Sequence, residues 1–242
     1  MYAGKNKSIN NILKIISQDR ERSNILRKQE QKALTFLVQR IPYWITSDML
    51  TVIGFSGSII VLSGFVLAAY FGKSYLLFGV LGYIISWFGD SLDGRVAYYR
   101  KQPRKWYGFV LDVTVDWLGV ILMGLGFVIY VSSAYKIIGF LFVVLYGWEI
   151  LTAQLRYKIT GKYSIDSGLL GPTEVRIIIS LILVSEVLLD GSIIYLSGIA
   201  CVVLFIANIL DTRKLLNAAD IRDKEEKQSL KDGAHCLKEQ RI

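Results

Sequence analysis

Histidine and cysteine are nearly absent from this chain: one His, at position 235, and two Cys, at 201 and 236, in 242 residues. Cys201 falls in an apolar run and Cys236 in a charged tail, so the pair makes no disulfide framework. With a single remote His, a zinc site of the usual imidazole and thiolate type is excluded. Proline is equally scarce, with three residues, Pro42, Pro103 and Pro172. Pro42 and Pro103 stand outside the apolar runs and Pro172 at the first residue of one, places where proline ends or starts helices. No internal repeat is visible. The first ~40 residues are polar and basic, not a short charged start followed by an apolar stretch, so no secretory signal is expected.

What the chain has instead is hydrophobic length. It is 53% hydrophobic, with a mean hydropathy of +0.43. A soluble domain of this size is not so apolar throughout. Six runs, roughly 46–71, 75–98, 108–131, 135–157, 172–189 and 192–212, meet the ~20-residue length that spans a bilayer. The expected class is therefore all-α, a polytopic membrane protein with six transmembrane helices and an N-terminal cytoplasmic or interfacial helix. The expected organisation is a basic juxtamembrane helix over 1–41, a six-helix domain over 42–215 and a charged tail over 216–242.

Charge orients these spans. Nine Lys/Arg precede the first run against three acids, Asp19, Glu21 and Glu30. Arg100, Lys101, Arg104 and Lys105 follow the second run, and Arg156, Lys158 and Lys162 follow the fourth, while the other side shows Lys73 and Lys136. The positive-inside rule puts both termini in the cytoplasm. The net charge of +8 sits in these segments, which fits anionic lipid headgroups rather than nucleic acid. Ile9, Ile12, Leu13, Ile16, Ile25, Leu26, Leu34 and Leu37 recur near helical spacing over about 8–41. That helix either lies along the membrane surface or packs on the cytoplasmic loops, and Pro42 ends it. The tail from ~213 reads as helical at first and then disordered.

Four aspartates interrupt the second and third runs. A carboxylate at membrane depth costs about 3 kcal/mol or more unless neutralised. Asp90, Asp93, Gly94 and Ala97 stand at i, i+3, i+4 and i+7, hence on one helical face, and Gly108, Asp112 and Asp116 share another. Small residues on those faces let a ligand or a second helix come close. Four adjacent carboxylates need cations to stay ionised. Without His or Cys, hard divalent ions, Mg²⁺ or Mn²⁺, are indicated. Two such ions, ~4 Å apart, would clamp a pyrophosphate for displacement at phosphorus. The adjoining basic loop suits an anionic substrate. Two other readings are that the acids line an ion or proton path, as in a small cation-coupled transporter, or pair with Arg95, Arg100 or Arg104. Neither predicts the small residues on the same faces.

These residues resemble the signature of the CDP-alcohol phosphotransferase family, D-x-x-D-G-x-x-A-R followed after eight or nine residues by G-x-x-x-D-x-x-x-D. Asp90, Asp93, Gly94, Ala97, Gly108, Asp112 and Asp116 match it, and Tyr98 stands where the family has arginine. The resemblance implies two divalent ions held by Asp90, Asp93, Asp112 and Asp116. It makes Asp116 also the general base, and gives a nucleotide site at Asp93, Gly94, Ala97 and Gly108. Pro42, Ile45, Thr46, Ser47, Asp48, Leu50 and Thr51 resemble the family's P-x-x-I-T-P-N-x-L-T entry, which implies a nucleotide-facing role for Thr46, Asp48 and Thr51. Helix capping by Thr46 or Ser47, with Asp48 at the positive helix end, explains the same residues. The implied reaction moves a phosphatidyl or other substituted phosphate group from a CDP-linked donor to an alcohol and releases CMP. A homodimer in a bacterial inner membrane is the further implication.

The acceptor is less legible. Gly171, Pro172, Thr173, Glu174, Val175 and Arg176 open the fifth run. Pro at the first helical position and Glu near the positive end explain part of this. Alternatively Glu174 and Arg176, with Arg104 and Lys105, read the acceptor. An arginine inside an apolar helix needs a partner, either an aspartate of the site or an anionic group of the substrate. The segment is also similar to the G-P-x-E of choline and ethanolamine phosphotransferases, which carry His where this chain has Val113. The favoured expectation is CDP-diacylglycerol as donor with a polar alcohol, such as inositol phosphate or glycerol phosphate. The alternative is a CDP-choline or CDP-ethanolamine type donor with a diacylglycerol-like acceptor.

Overall fold

Polar punctuation sets the helix ends. Thr46 caps the first long helix, its hydroxyl accepting from the Met49 amide at 3.2 Å, and Asp48 lies in the first turn. Gly72, at φ +117°, ends that helix in a conformation that side-chain-bearing residues rarely adopt. Pro172 opens another helix at a position where its missing N–H removes nothing. The computed structural model describes residues 26–161 and 171–239. Among them the regular elements are helices: α1 Arg27–Val38, α2 Ser47–Phe71, α3 Leu76–Tyr99, α4 Lys105–Tyr130, α5 Lys136–Thr160, α6 Pro172–Leu188 and α7 Ser192–Glu239, with 3₁₀ turns at Lys73–Tyr75 and Ser133–Tyr135.

Helix α2 packs most extensively on α3 and next on α4; α5 lies against α4 and α7, and α6 fills the space between α3 and α7. Two apolar clusters hold the bundle. Val61, Phe65, Leu76, Phe127, Leu183 and Ile193 form one toward the Lys73 end. Leu34, Val38, Leu50, Leu92 and Val96 form the other beneath α1. The outward faces carry Val52, Ile59, Ile84, Val110, Leu125 and Phe140 exposed, as a bilayer solvent allows.

Helices α2 and α3 meet backbone to backbone. A Cβ on Gly57 would lie 2.5 Å from the Gly82 carbonyl oxygen, one on Gly64 2.7 Å from the Gly79 nitrogen, and one on Gly89 would collide with the Gly54 and Leu50 backbone. Small residues make such close approach possible in a membrane, where dispersion and not the hydrophobic effect draws helices together.

Six long crossings were expected and the structure alters that picture. Among the described residues, five helices are long and apolar enough to cross a membrane: α2, α3 with its preceding turn, α4, α5 and α7. The fifth expected crossing is α6, which has 17 residues and so is about 25 Å long. It is cut short by Pro172 at one end and the turn at Leu189–Gly191 at the other. Its two ends nevertheless touch opposite ends of the bundle. Glu174 accepts from the Leu26 amide at 2.9 Å, while Asp190, just past its end, pairs with Lys73 at 2.6 Å.

The N-terminal helix ends at Val38, ahead of Pro42, and is docked by its Leu34 and Val38 face. Residues 8–25 of the expected helix lie outside the described residues. The tail is one helix with the last span, continuous to Glu239.

The glycine contact is testable. Gly89→Ala should lower stability by about 1–3 kcal/mol, the range for overpacking. Gly198→Ala, inside α7 where a Cβ meets nothing within 4 Å, should be neutral or stabilising by up to about 1 kcal/mol. Thermal unfolding of the detergent-solubilised protein decides, and equal midpoints for the two variants would refute the close-packing account.

Candidate active site

Asp90 and Asp93 lie in the last turns of α3, and Asp112 and Asp116 two to three turns into α4. The α2–α3 contact brings Asp93 under Thr51, whose hydroxyl donates to the Asp93 carboxylate at 2.7 Å. The Gly94 amide also donates to Asp93, and the Ser47 hydroxyl donates to its carbonyl at 2.9 Å. One carboxylate oxygen from each of Asp90, Asp112 and Asp116 lies within 4.8 Å of the other two. Four ligands were expected; three converge, and Asp93 stands beside them on Thr51.

This donor set fits a divalent ion. Three hard carboxylates meet at one point, with neither imidazole nor thiolate in the cluster among the described residues, which suits Mg²⁺ or Mn²⁺. Positive charge is already drawn to the group. Arg176 donates to Asp90 at 2.6 Å, and its other terminal nitrogen lies 3.6 Å from Asp116. The partner expected of Arg176 is thus an aspartate of the site. The arginines nearer in sequence are engaged elsewhere as well. Arg95 pairs with Glu30 at 3.5 Å. Arg100 donates to the carbonyls of Ile45 at 2.5 Å and Pro42 at 2.8 Å. Arg104 pairs with Asp48.

Cavities lie on both sides of the carboxylates. The first opens at the α2, α3 and α4 ends and is lined by Asp48, Thr51, Asp93, Gly94, Ala97, Tyr98, Arg104, Lys105, Gly108, Asp112 and Tyr157. A Cβ on Gly108 would meet nothing within 4 Å, so that wall is open. Of the residues expected at the nucleotide, this cavity gathers all but Thr46, which caps α2. Arg104 and Lys105, expected at the acceptor, line this same cavity. Tyr98, in the place of the family arginine, is part of its wall.

The second cavity lies deeper, lined by Ser58, Tyr83, Ser86, Asp90, Asp112, Asp116, Tyr146 and Arg176. Glu174 is not among its lining residues. Its carboxylate accepts from the Gly171 amide at 3.1 Å, at the N-terminus of α6, and from the Leu26 amide. A third cavity of about 400 Å³ starts at Asp116 and Tyr146 and runs between α5, α6 and α7 past Ile150, Ile178, Ile182, Ile199 and Val203. Its walls are apolar apart from that end and Glu149, Gln154.

Ser47, expected as an alternative helix cap, instead holds the Asp93 carbonyl, and sequence reasoning passed over Tyr83, Ser86 and Tyr146. Tyr83 and Ser86 were findable, since 83, 86 and 90 continue the aspartate face by helical spacing. Tyr146 had a signal as well: Glu149, three residues on, is a carboxylate inside the same apolar run, and both side chains line the third cavity.

A family model described as CDP-alcohol phosphatidyltransferase matches residues 44–211. No curated protein matches the chain.

The convergence of the three carboxylates has a direct consequence for metal binding. Mg²⁺ or Mn²⁺ at about a hundred times its dissociation constant should stabilise the unaltered protein by about 2.7 kcal/mol. Asp112→Asn and Asp116→Asn should lose most of that rise in unfolding temperature. Full stabilisation of both variants would show that these carboxylates do not hold the ion.

Proposed function

The chain belongs to the CDP-alcohol phosphatidyltransferase family, a family of transferases for substituted phosphate groups, and from that premise we infer the following reaction and topology. The donor is CDP-diacylglycerol, the acceptor is a polar alcohol, and CMP is the leaving group. One observation carries the reading: Asp90, Asp112 and Asp116 converge between a cavity lined by the expected nucleotide residues and a second cavity containing Arg176.

The residues divide the work as follows. The cytidine nucleotide occupies the first cavity, with its phosphates toward Asp93 and Asp112; Gly94, Ala97 and Gly108 leave the backbone bare for it. Asp90, Asp93, Asp112 and Asp116 hold two divalent ions, which supply charge neutralisation for the pyrophosphate and the phosphorus centre. Thr51 and the Gly94 amide fix the Asp93 carboxylate. The acceptor hydroxyl approaches phosphorus from the Asp116 side, opposite the nucleotide. Asp116 takes its proton on a carboxylate oxygen. A bond forms between the acceptor oxygen and phosphorus, and the bond from phosphorus to the CMP oxygen breaks. Arg176, between Asp90 and Asp116, gives the acceptor cavity a positive group suited to a phosphate or polyol.

A second reading has a specific observation behind it. The apolar cavity of about 400 Å³ begins at Asp116 and shows no Lys or Arg among its described lining residues. That favours a lipid alcohol, such as diacylglycerol, as acceptor with a CDP-choline or CDP-ethanolamine type donor.

Both termini and the first cavity face the cytoplasm in this proposal, with α6 completing six crossings in a bacterial inner membrane. The charged loops support it, as do the contacts of α6 at both ends of the bundle.

Purified protein should release CMP from a CDP-linked donor only with divalent metal, and Asp116→Asn should lower the rate by about 10³. A panel of donors and acceptors separates the two readings: turnover with CDP-diacylglycerol and a soluble polyol phosphate supports the first, turnover with diacylglycerol the second. Absence of CMP release with every pair would overturn both.

Topology is tested separately in a background lacking Cys201 and Cys236. A membrane-impermeant maleimide on intact cells should label Lys73→Cys and spare Arg104→Cys. The reverse pattern would invert the orientation.

A further inference from the structure

The side of α3 opposite the aspartates is not idle. Arg95 is two residues beyond Asp93, so it points about 200° away around the helix. It is 5% exposed, as is Glu30 of α1, and their charged groups lie 3.5 Å apart. Arg95 also donates to the Ser91 carbonyl, within the turn that joins Asp90 to Asp93. A few residues along α1, Leu34 and Val38 pack on Leu92 and Val96 of the same stretch of α3. At its start, α1 is tied to a second helix of the site: the Glu174 carboxylate bridges the Leu26 and Gly171 amides. Two residues on, Arg176 bonds Asp90.

A buried ion pair adds little net stability over apolar residues of the same shape. What it does well is select one register, because any other leaves two charges buried without each other. Here the register concerned is the rotation of the α3 end, which decides where Asp90 and Asp93 point. Groups behind metal ligands that fix ligand orientation typically change metal affinity by about 10- to 100-fold when removed.

We propose that the N-terminal helix is a latch for the metal site: Glu30 and Arg95 are positioning residues that fix the α3 turn bearing Asp90 and Asp93, and Glu174 ties the same helix to the start of α6. The proposal rests on the reading of the aspartates as metal ligands given above. It assigns the N-terminal helix a role in the reaction, beyond docking the chain at the membrane surface.

The test uses the full chain in lipid nanodiscs, titrated with Mn²⁺. Two readouts are followed, the metal-dependent rise in unfolding temperature and the metal concentration for half-maximal CMP release. Glu30→Gln and Arg95→Gln should stay folded and monodisperse and shift both midpoints upward by about tenfold. Arg95→Lys, which keeps the charge, should recover part of the shift. Unchanged midpoints in folded variants, even with a lower unfolding temperature without metal, would overturn the latch and leave a purely structural pair. Failure of all three variants to fold would overturn it as well, by making the pair a folding determinant. No metal response in the unaltered protein would instead refute the metal reading on which the latch depends.

Discussion

The bare contact between α2 and α3 governs the rest of the molecule. Where Gly54, Gly57 and Gly64 meet the α3 backbone at Gly79, Gly82, Ser86 and Gly89, two helices touch backbone to backbone. Helices that close cannot slide or rotate without collision, so Thr51 is held over Asp93 and Ser47 over the Asp93 carbonyl. The polar geometry at one end of the pair is therefore set by close packing along its apolar length. A side chain inserted anywhere in that seam would be felt at the carboxylates.

Charge is distributed with similar economy. The α3–α4 region has several arginines and lysines close to four aspartates, and random pairing would fill the site with ion pairs. Instead Arg95 turns to Glu30, Arg100 to backbone carbonyls of the α1–α2 connection, and Arg104 to Asp48. Arg176 comes from a distant helix to meet Asp90 and Asp116. Neighbouring cations thus brace the scaffold, and the cation at the site is one whose position depends on the whole bundle being assembled.

Much of this was legible in the sequence. The aspartates were, because carboxylates in apolar runs are expensive and their helical spacing fixes a common face. Gly94, Ala97 and Gly108 were, because small residues repeated that spacing, and Asp48 and Thr51 through their resemblance to a known entry segment. Less legible were features that depend on where helices cross. Spacing alone could not separate Asp93 from the other three carboxylates, since that division arises from Thr51 on α2. Glu174 and Arg176 are two residues apart in one segment, yet one caps a helix and the other meets aspartates, because they leave α6 in different directions. The extent of α6 was legible, since its apolar run was read as 172–189 and the helix is Pro172–Leu188.

The long last helix has a consequence of a different kind. It runs 48 residues without a break, about 72 Å, and is pinned to α5 along its length, by Asn208 on the Leu145 carbonyl, Thr212 on Trp148, Asp211 on Arg156, and Arg222 on the carbonyls of Lys158 and Ile159, among others. These grips fall on one side of a single rigid rod, so membrane segment and tail share one angular phase, like a keyed shaft. Adding one residue between Asp211 and Arg222 would turn everything beyond it by about 100° and carry Arg222 off its carbonyls, whereas adding seven would bring it nearly back into phase. The charged tail, loose as its composition makes it look, is thereby indexed to the membrane domain.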